Sequence, residues 1–283
     1  TKGDDVSWEV VDASALPGEG GEEEEEAAAA GGGGGGARGS VPKGLKLEKI
    51  PFCGKYSVPL EEFEAGVVGA KARNTKALHE SLGGGKIPSW IRLPSSMVVP
   101  FGTMEHILED PINKSVAAEL KALEAAVDDS SEASLEETLK ACRNCVRGVL
   151  PPEEMLDDIE DAMIDAGIEP PEDEERWTSM WGALASVWAS KWNDRAFVSL
   201  RNAGIAHSDL RMSVLVQPVV DADYAFVIHT VNPSSNDETE LYAEVVMGLG
   251  EALVGNYPGR ALSFAVKKST PAEAASGKKY IAD

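Results

Sequence analysis

The chain has 283 residues, 43% of them hydrophobic, which suffices for one large or two modest globular domains. Its formal net charge is −22, from 48 Asp and Glu against 26 Lys and Arg, so nucleic acid and anionic membranes are not expected partners. The three cysteines cannot build a disulfide framework, and no apolar run is as long as a membrane span. Because the chain opens at Thr1 without a leader, we expect a piece of a longer protein.

Residues 1–45 are predicted to form a flexible acidic linker. Within them, residues 19–40 combine runs of glutamate, alanine and glycine, which offer little apolar surface to bury. An acidic docking segment for a basic partner is the alternative interpretation.

Residues 46–112 read as a loop, a helix, a glycine-rich turn, a short strand and the start of a second helix. The stretch "GVVGAKARN" places Lys71 in the first turn of the first helix. Free backbone N–H groups and the positive end of the helix dipole favour an anion there. Lys71 is therefore a candidate phosphate ligand, although an ordinary amphipathic helix can begin in the same way.

Residues 113–176 are predicted to be a helical insertion, with helices over 113–127, 135–149 and 153–166. Cys142 and Cys145 form one C-x-x-C pair inside the second helix. A zinc site needs four ligands and no second pair follows, so we interpret both thiols as packing residues.

Residues 177–283 are predicted to contain a tryptophan-rich helix and a sheet. The helix carries apolar residues at steps of three and four, which places on one face Trp177, Trp181, Leu184, Trp188 and Trp192. We interpret this face as core, with stacking on sugar rings as the alternative.

Three strand-like segments follow the tryptophan-rich helix. "RMSVLVQPVV" and "YAFVIHTVNP" are joined by "DAD", which is typical of an antiparallel hairpin, and "LYAEVV" is a third strand that runs into a glycine loop. Pro218 is expected at an edge or bulge. Glu240, Glu244 and Glu251 lie beside several glycines at this loop, as nucleotide or Mg²⁺ binding would require. A polar strand face beside a tight turn would look the same.

Taken together, "GAKARN", "KIPSWIRLPSSMVVPFG", "VWASKWNDRAFVSLR", "MSVLVQPVVDADYAFVIHTVNPSS" and "ELYAEVVMGLGEALVGNYPGRALSF" resemble the nucleotide-binding domain of the dikinases. That group includes pyruvate phosphate dikinase, phosphoenolpyruvate synthase and, with the strongest similarity, the α-glucan, water dikinases. The resemblance covers roughly residues 66–266.

The resemblance implies an α/β (α+β) fold of the ATP-grasp-like type, with a partly antiparallel sheet, that binds ATP and Mg²⁺. It assigns phosphate binding to Lys71 and Arg195. It places near the adenine the hinge residues Gln217, Pro218 and Val219. The nucleotide side of the sheet and the adjoining loop would then carry Glu244, Gly250 and Glu251. Metal ligands are expected beyond this segment, because the domain is expected to be truncated at its C-terminal end.

The resemblance also implies a plastid enzyme that transfers the β-phosphate of ATP through a phosphohistidine to glucosyl residues of starch, with release of AMP and phosphate. None of the four histidines, His79, His106, His207 and His229, matches the phosphohistidine motif, so that residue is expected upstream. The glucan would bind through other domains of the enzyme. A homodimer is one of the assemblies that the resemblance allows. The alternatives are a dikinase acting on pyruvate and a non-catalytic interaction module with an exposed tryptophan face.

Overall fold

The computed structural model describes residues 49–84, 90–128, 132–250, 253 and 261–268. The chain divides into two compact units. We call Ser40–Val219 the helical unit, and Val220–Asp283 together with Thr1–Gly39 the sheet unit. The predicted acidic linker lies outside the described residues, and the predicted domain boundaries stay a prediction.

Seven helices are described, all in the helical unit. They are α1 (Ala70–Gly83), α2 (Thr103–Ile107), α3 (Lys114–Asp128), α4 (Glu132–Arg147), α5 (Glu153–Asp165), α6 (Glu174–Ala189) and α7 (Asp194–Asn202). The three helices predicted for residues 113–166 are thus confirmed as α3, α4 and α5. None of the helices in the described ranges is long and apolar enough to cross a membrane.

A small antiparallel sheet lies in the helical unit. Its strands are β1 (Val58–Pro59), β2 (Met97–Val99) and β3 (Val214–Val216), in the order β1-β2-β3. Val98 of β2 faces Val58 on one side and Leu215 on the other. All three residues of β2 are fully buried, so β2 forms the centre of this sheet and packs on both faces.

The tryptophan face of α6 is in the core, as predicted. Trp188 and Trp192 are at most 1% exposed. Trp181 packs edge-on against Trp188 with ring centroids 5.8 Å apart, and its Nε1 donates to the Val149 carbonyl at 2.7 Å. One prediction is corrected here, because the helix predicted to carry all four tryptophans ends at Ala189, before Trp192. The chain then turns through a 3₁₀ segment at Ser190–Trp192 and becomes extended at Asn193 (ψ 139°) before α7 begins.

The two thiols of α4 are packing groups, as the sequence indicated. Cys142 and Cys145 are buried and free, on the face of α4 that contributes to the main core. Burial raises the pKa of each thiol to about 11, so both stay protonated at neutral pH.

Asn113 joins two segments of the helical unit from a fully buried position. Its Nδ2 donates to the carbonyls of Ile107 (2.9 Å) and Leu150 (2.8 Å), and its Oδ1 accepts from the Leu150 N–H (2.8 Å). The end of α2 is thereby fixed to the connection between α4 and α5.

Gly102, just before α2, allows the close approach of another segment. Its φ is +82°, and a Cβ at this position would lie 2.6 Å from the backbone nitrogen of Phe52. The Phe52 ring in turn stacks on His106, with centroids 4.2 Å apart. Glycine is therefore required both for the backbone conformation and for space.

The sheet unit contains a second antiparallel sheet of β4 (Tyr224–His229), β5 (Glu240–Met247) and β6 (Leu262–Lys267), with β5 in the centre. The predicted hairpin of the first two strand segments is wrong. β3 pairs with β2 in the helical unit, whereas β4 pairs with β5. The predicted third strand is confirmed as β5, and both described sheets are antiparallel throughout.

Candidate functional site

Lys71 is the second residue of α1, as the sequence predicted. The helix begins after Gly69, whose extended backbone provides no side-chain cap, so the first N–H groups of α1 are not capped by a side chain. The Lys71 side chain is exposed and forms no ion pair with any described residue. A cationic amine and the positive end of a 14-residue helix therefore favour an anion at the same place.

A hydrogen bond fixes this helix start to β3. The Gly69 N–H donates to the Ser213 hydroxyl at 2.9 Å, and Ser213 directly precedes β3. Gln217 directly follows β3. Four residues of extended chain span about 13 Å, so the lysine turn and the hinge segment lie at opposite ends of one short strand.

Gln217, Pro218 and Val219 are exposed at the end of β3. The Gln217 side chain is held in place because its Nε2 donates to the Ser96 hydroxyl at 2.8 Å. Ser96 is only 3% exposed and itself donates to the Pro94 carbonyl. Pro218 lies outside the strand, in agreement with its missing N–H donor.

A groove of about 400 Å³ lies beside this segment within the helical unit. Gln217 and Pro218 line one part of it, and the apolar side chains of Met163, Ile168 and Met180 line another. The loop between α5 and α6 completes it with Pro170 and Pro171. Sequence reasoning missed these residues, although a Pro-Pro pair between two helices marks a rigid turn that could have indicated a wall.

Arg195 is the second residue of α7 and is exposed. Among the described residues, no hydrogen bond or ion pair joins Arg195 to Lys71 or to Gln217. Its neighbour Asp194 pairs with Arg143 at 3.0 Å, which fixes the start of α7 against α4. The structure thus places Arg195 at a fixed helix start.

Three charged side chains of the helical unit, Glu105, Lys191 and Arg211, are partly or fully buried. Glu105 of α2 lies 3.3 Å from Arg211, and both of its carboxylate oxygens are buried without a geometrically ideal hydrogen bond. Lys191 is 4% exposed, and its Nζ lies 5.0 Å from the centre of the Trp192 ring. Burial lowers the pKa of Lys191, and the nearby Glu105 carboxylate opposes that change.

Glu244 belongs to the sheet unit, where it occupies the middle of β5 opposite Val227 and Ser263. Its carboxylate accepts from the Tyr242 hydroxyl at 3.4 Å on the same face. After β5 the chain turns at Gly248 (φ +74°), whose N–H donates to the Asp223 carbonyl at 2.8 Å. A Cβ at Gly250 would lie 3.3 Å from that of Ala225, so the loop passes close to β4.

The predicted site residues therefore fall into two groups. Lys71, Arg195 and the hinge residues belong to the helical unit, and Glu244 and Gly250 belong to the sheet unit. Glu251 lies outside the described residues.

The histidines of the described part of the chain do not belong to a metal site. This part holds no group of three or more His, Cys, Asp or Glu side chains that could bind a metal ion. His106 stacks on Phe52, and His207 packs between the rings of Trp192 (5.1 Å) and Phe197 (5.3 Å). His229 lies beside Tyr242 with ring centroids 6.0 Å apart.

The chain is similar in sequence to known dikinases. Residues 169–276 match the family model described as pyruvate phosphate dikinase, AMP/ATP-binding domain, which includes every candidate residue except Lys71. The chain is 44% identical over 230 residues to α-glucan water dikinase 1, chloroplastic, of Arabidopsis thaliana, an alignment of 81% of this chain and 16% of that protein. The chain is thus similar to one segment of the α-glucan water dikinases.

Other dikinases extend the relationship. The α-glucan water dikinase, chloroplastic, of Solanum tuberosum is 46% identical over 226 residues, or 79% of this chain and 15% of that protein. The phosphoenolpyruvate synthase of Pyrococcus furiosus is 37% identical over 67 residues, or 24% of this chain and 8% of that protein. The chain spans about a sixth of the length of the α-glucan water dikinases it matches.

Proposed function

We propose that this chain is the ATP-binding part of a plastid α-glucan, water dikinase with an ATP-grasp-like fold. The whole enzyme would transfer the β-phosphate of ATP through a phosphohistidine to glucosyl residues of starch, with release of AMP and phosphate. The observation that carries the proposal is the Gly69–Ser213 hydrogen bond, which joins the lysine turn and the hinge strand into one element of a segment 44% identical to such an enzyme.

In this proposal the helical unit holds the two ends of the nucleotide. Lys71 and the uncapped N–H groups of α1 offset the negative charge of the phosphates, with Arg195 as a second cation. The segment Gln217–Val219 holds the adenine, and the groove beside it offers apolar walls for a flat ring. Gln217 is held by Ser96, so less of its side-chain freedom is lost on binding.

Glu244 has the complementary role in the sheet unit. A carboxylate accepts hydrogen bonds only, so it is suited to the ribose hydroxyls or the adenine amino group and not to a phosphate. Gly248 and Gly250 allow the backbone to approach the ligand closely.

Mg²⁺ would enter as part of the Mg–ATP substrate. The described residues do not fit a metal site of their own, because no cluster of three ligands is present among them. No step is therefore assigned to a protein-bound metal.

The phosphohistidine belongs to another segment of the polypeptide in this proposal. None of His79, His106, His207 and His229 matches the phosphohistidine motif of the family, and His106 and His207 pack against aromatic rings. The glucan would likewise be bound elsewhere in the enzyme.

The experiment is a calorimetric titration of the natural polypeptide that carries this chain with Mg–ATP, beside its Lys71→Ala and Glu244→Gln variants. Each variant is expected to bind at least about tenfold more weakly, because each removes a charged contact to the nucleotide. Lys121→Ala is the matched control, since it removes one exposed lysine from α3. Affinity that all four proteins share would refute the assigned site.

A dikinase acting on pyruvate is the second candidate, favoured by the 67-residue similarity to phosphoenolpyruvate synthase. Product analysis separates the two. Radiolabel from [β-³²P]ATP in glucan supports the first function, and label in phosphoenolpyruvate supports the second.

A further inference from the structure

Ser96 and Gln217 are cross-strand neighbours at one end of the small sheet in the helical unit. The antiparallel register of β2 and β3 pairs Met97 with Val216. One residue further along both chains, Ser96 and Gln217 lie opposite each other. Side chains of such a pair lie on the same face of a sheet, close enough for a direct hydrogen bond. The strand register therefore determines which group the Gln217 amide meets.

The Ser96 hydroxyl has its one hydrogen engaged by the main chain. Its Oγ donates to the Pro94 carbonyl at 3.0 Å, and a carbonyl oxygen can only accept. Toward Gln217 the same hydroxyl oxygen is therefore an acceptor. The amide meets this requirement, because its Nε2 donates to Ser96 Oγ at 2.8 Å. The reversed amide would bring Oε1 against the lone pairs of that oxygen, and no hydrogen bond would form.

This chain of hydrogen bonds fixes which end of the Gln217 amide is left for a ligand. Ser96 is only 3% exposed, so Nε2 is turned toward the interior. Gln217 itself is exposed and lines the groove bounded by Met163 and Met180. Among the described residues, none donates a hydrogen bond to its Oε1. The end of the amide that remains for a ligand is therefore an acceptor of fixed orientation.

An acceptor beside a purine distinguishes the two common substituents at position 6 of the ring. Adenine has an amino group there, which donates, whereas guanine has an oxygen, which only accepts. A 6-amino group would hydrogen-bond to Oε1, but a 6-oxo group would place one acceptor against another. The apolar side chains of the groove contact the flat ring of either purine and do not separate them. Selection between the two then depends on the polar group.

We propose that Gln217 selects adenine over 6-oxopurines by accepting a hydrogen bond from the 6-amino group, and that Ser96 is the positioning residue that sets the orientation of the amide. The inference rests on the proposed function, which places the base beside Gln217–Val219. Ser96 is buried and acts on the nucleotide only through Gln217.

The test is a calorimetric titration of the natural polypeptide with Mg–ATP and with the magnesium complex of inosine triphosphate, Mg–ITP, whose base carries a 6-oxo group. The measured quantity is the ratio of the two dissociation constants. The unsubstituted polypeptide is expected to bind Mg–ATP at least about tenfold more tightly. Gln217→Met removes the acceptor from a side chain of similar length and should reduce this preference to less than about threefold. Ser96→Ala should reduce it to a similar extent, because the released amide can turn its Nε2 toward the 6-oxo group.

Ser57→Ala is the matched control for the loss of a buried serine hydroxyl. The Ser57 side chain is in the same unit and donates to the Asp158 carbonyl at 3.0 Å. This variant should keep the preference for Mg–ATP, whereas a general loosening of the fold would lower it in both serine variants. The double variant Ser96→Ala/Gln217→Met should have the ratio of Gln217→Met alone, because the serine acts only through the amide.

Four outcomes would overturn the inference. Equal affinities of the unsubstituted polypeptide for the two nucleotides would show that no such selection exists. A preference retained in Gln217→Met would assign the selection to another group, and one retained in Ser96→Ala would remove the positioning role. An equal loss in Ser57→Ala would make the effect a general one. If Lys71→Ala and Glu244→Gln still weaken Mg–ATP binding, each of these results refutes this inference alone, whereas a polypeptide that binds neither nucleotide refutes the proposed function as well.

Discussion

The helical unit and the sheet unit bury their apolar side chains to different extents. The helical unit encloses one large core that includes Trp188, Trp192 and Met155, all at most 1% exposed. Among the described hydrophobic residues of the sheet unit only Ala243 and Val246 are buried. Since burial of apolar surface is the main stabilising contribution to folding, the helical unit carries its own stability, and the sheet gains much less from side-chain packing.

The largest expected effect is therefore in the helical core. Trp188→Ala should lower the free energy of unfolding by about 3–5 kcal/mol, because it leaves a large cavity. Trp188→Phe should cost less, since it retains an aromatic ring and removes an indole Nε1 that is buried without a partner. Urea titration followed by circular dichroism measures both. A comparable loss for Val187→Ala, at a position 40% exposed on the same helix, would contradict the assignment of the core face.

Asn113→Ala is expected to have the next largest effect, a loss of about 2–4 kcal/mol. It removes three hydrogen bonds and leaves the Leu150 N–H and two carbonyls without this partner. The same urea titration gives the value. The exposed neighbour Ile112→Ala is the control, and equal losses at the two positions would show that the side-chain bonds of Asn113 contribute nothing.

Lys191 should make the stability of the helical unit depend on alkaline pH. Burial lowers the pKa of its ammonium in the folded state below the ordinary value of 10.5, so between the two pKa values the unfolded chain binds more protons. The free energy of unfolding of the parent should therefore rise, relative to Lys191→Met, as pH increases toward 10.5. A difference that stays constant over this range would show that the buried ammonium has an ordinary pKa.

The smallest effect is expected at an exposed position of the sheet unit. In this chain Phe226→Thr should change the free energy of unfolding by less than about 1 kcal/mol, because Phe226 is mostly exposed and threonine suits a strand. Thermal unfolding of the parent chain and of Phe226→Thr measures this difference in the free energy of unfolding. A loss as large as that of Trp188→Ala would mean that Phe226 packs against an element of this chain and that the sheet unit buries its apolar side chains as well as the helical unit does.

The elements that could be predicted from the sequence are those that depend on local pattern. The tryptophan spacing places Trp188 in the core, because a 3.6-residue period determines which side chains share a face. Lys71 follows Gly69 at a helix start for a similarly local reason. The position of Gly248 at the end of β5 also depends on the nearby turn alone.

The errors concern choices between distant partners. "DAD" between β3 and β4 has the composition of a hairpin turn, yet β3 pairs with Met97–Val99, more than a hundred residues earlier. A short polar link does not reveal whether it joins two strands of one sheet or two compact units. The groove beside Gln217 was missed for the same reason, since its walls come from α5, α6 and the loop between them.

Gly102 has a consequence for inherited variation. Gly66 has nearly the same positive φ, +84°, but nothing lies within 4 Å of the position a Cβ would take. In a library of random alleles selected for folding, Gly66→Asn should therefore be recovered, because asparagine tolerates this backbone conformation. No substitution at position 102 should be recovered, because every other amino acid would bring its Cβ against the main chain at Pro51 and Phe52. Among alleles selected for folding, its codon should read only as glycine.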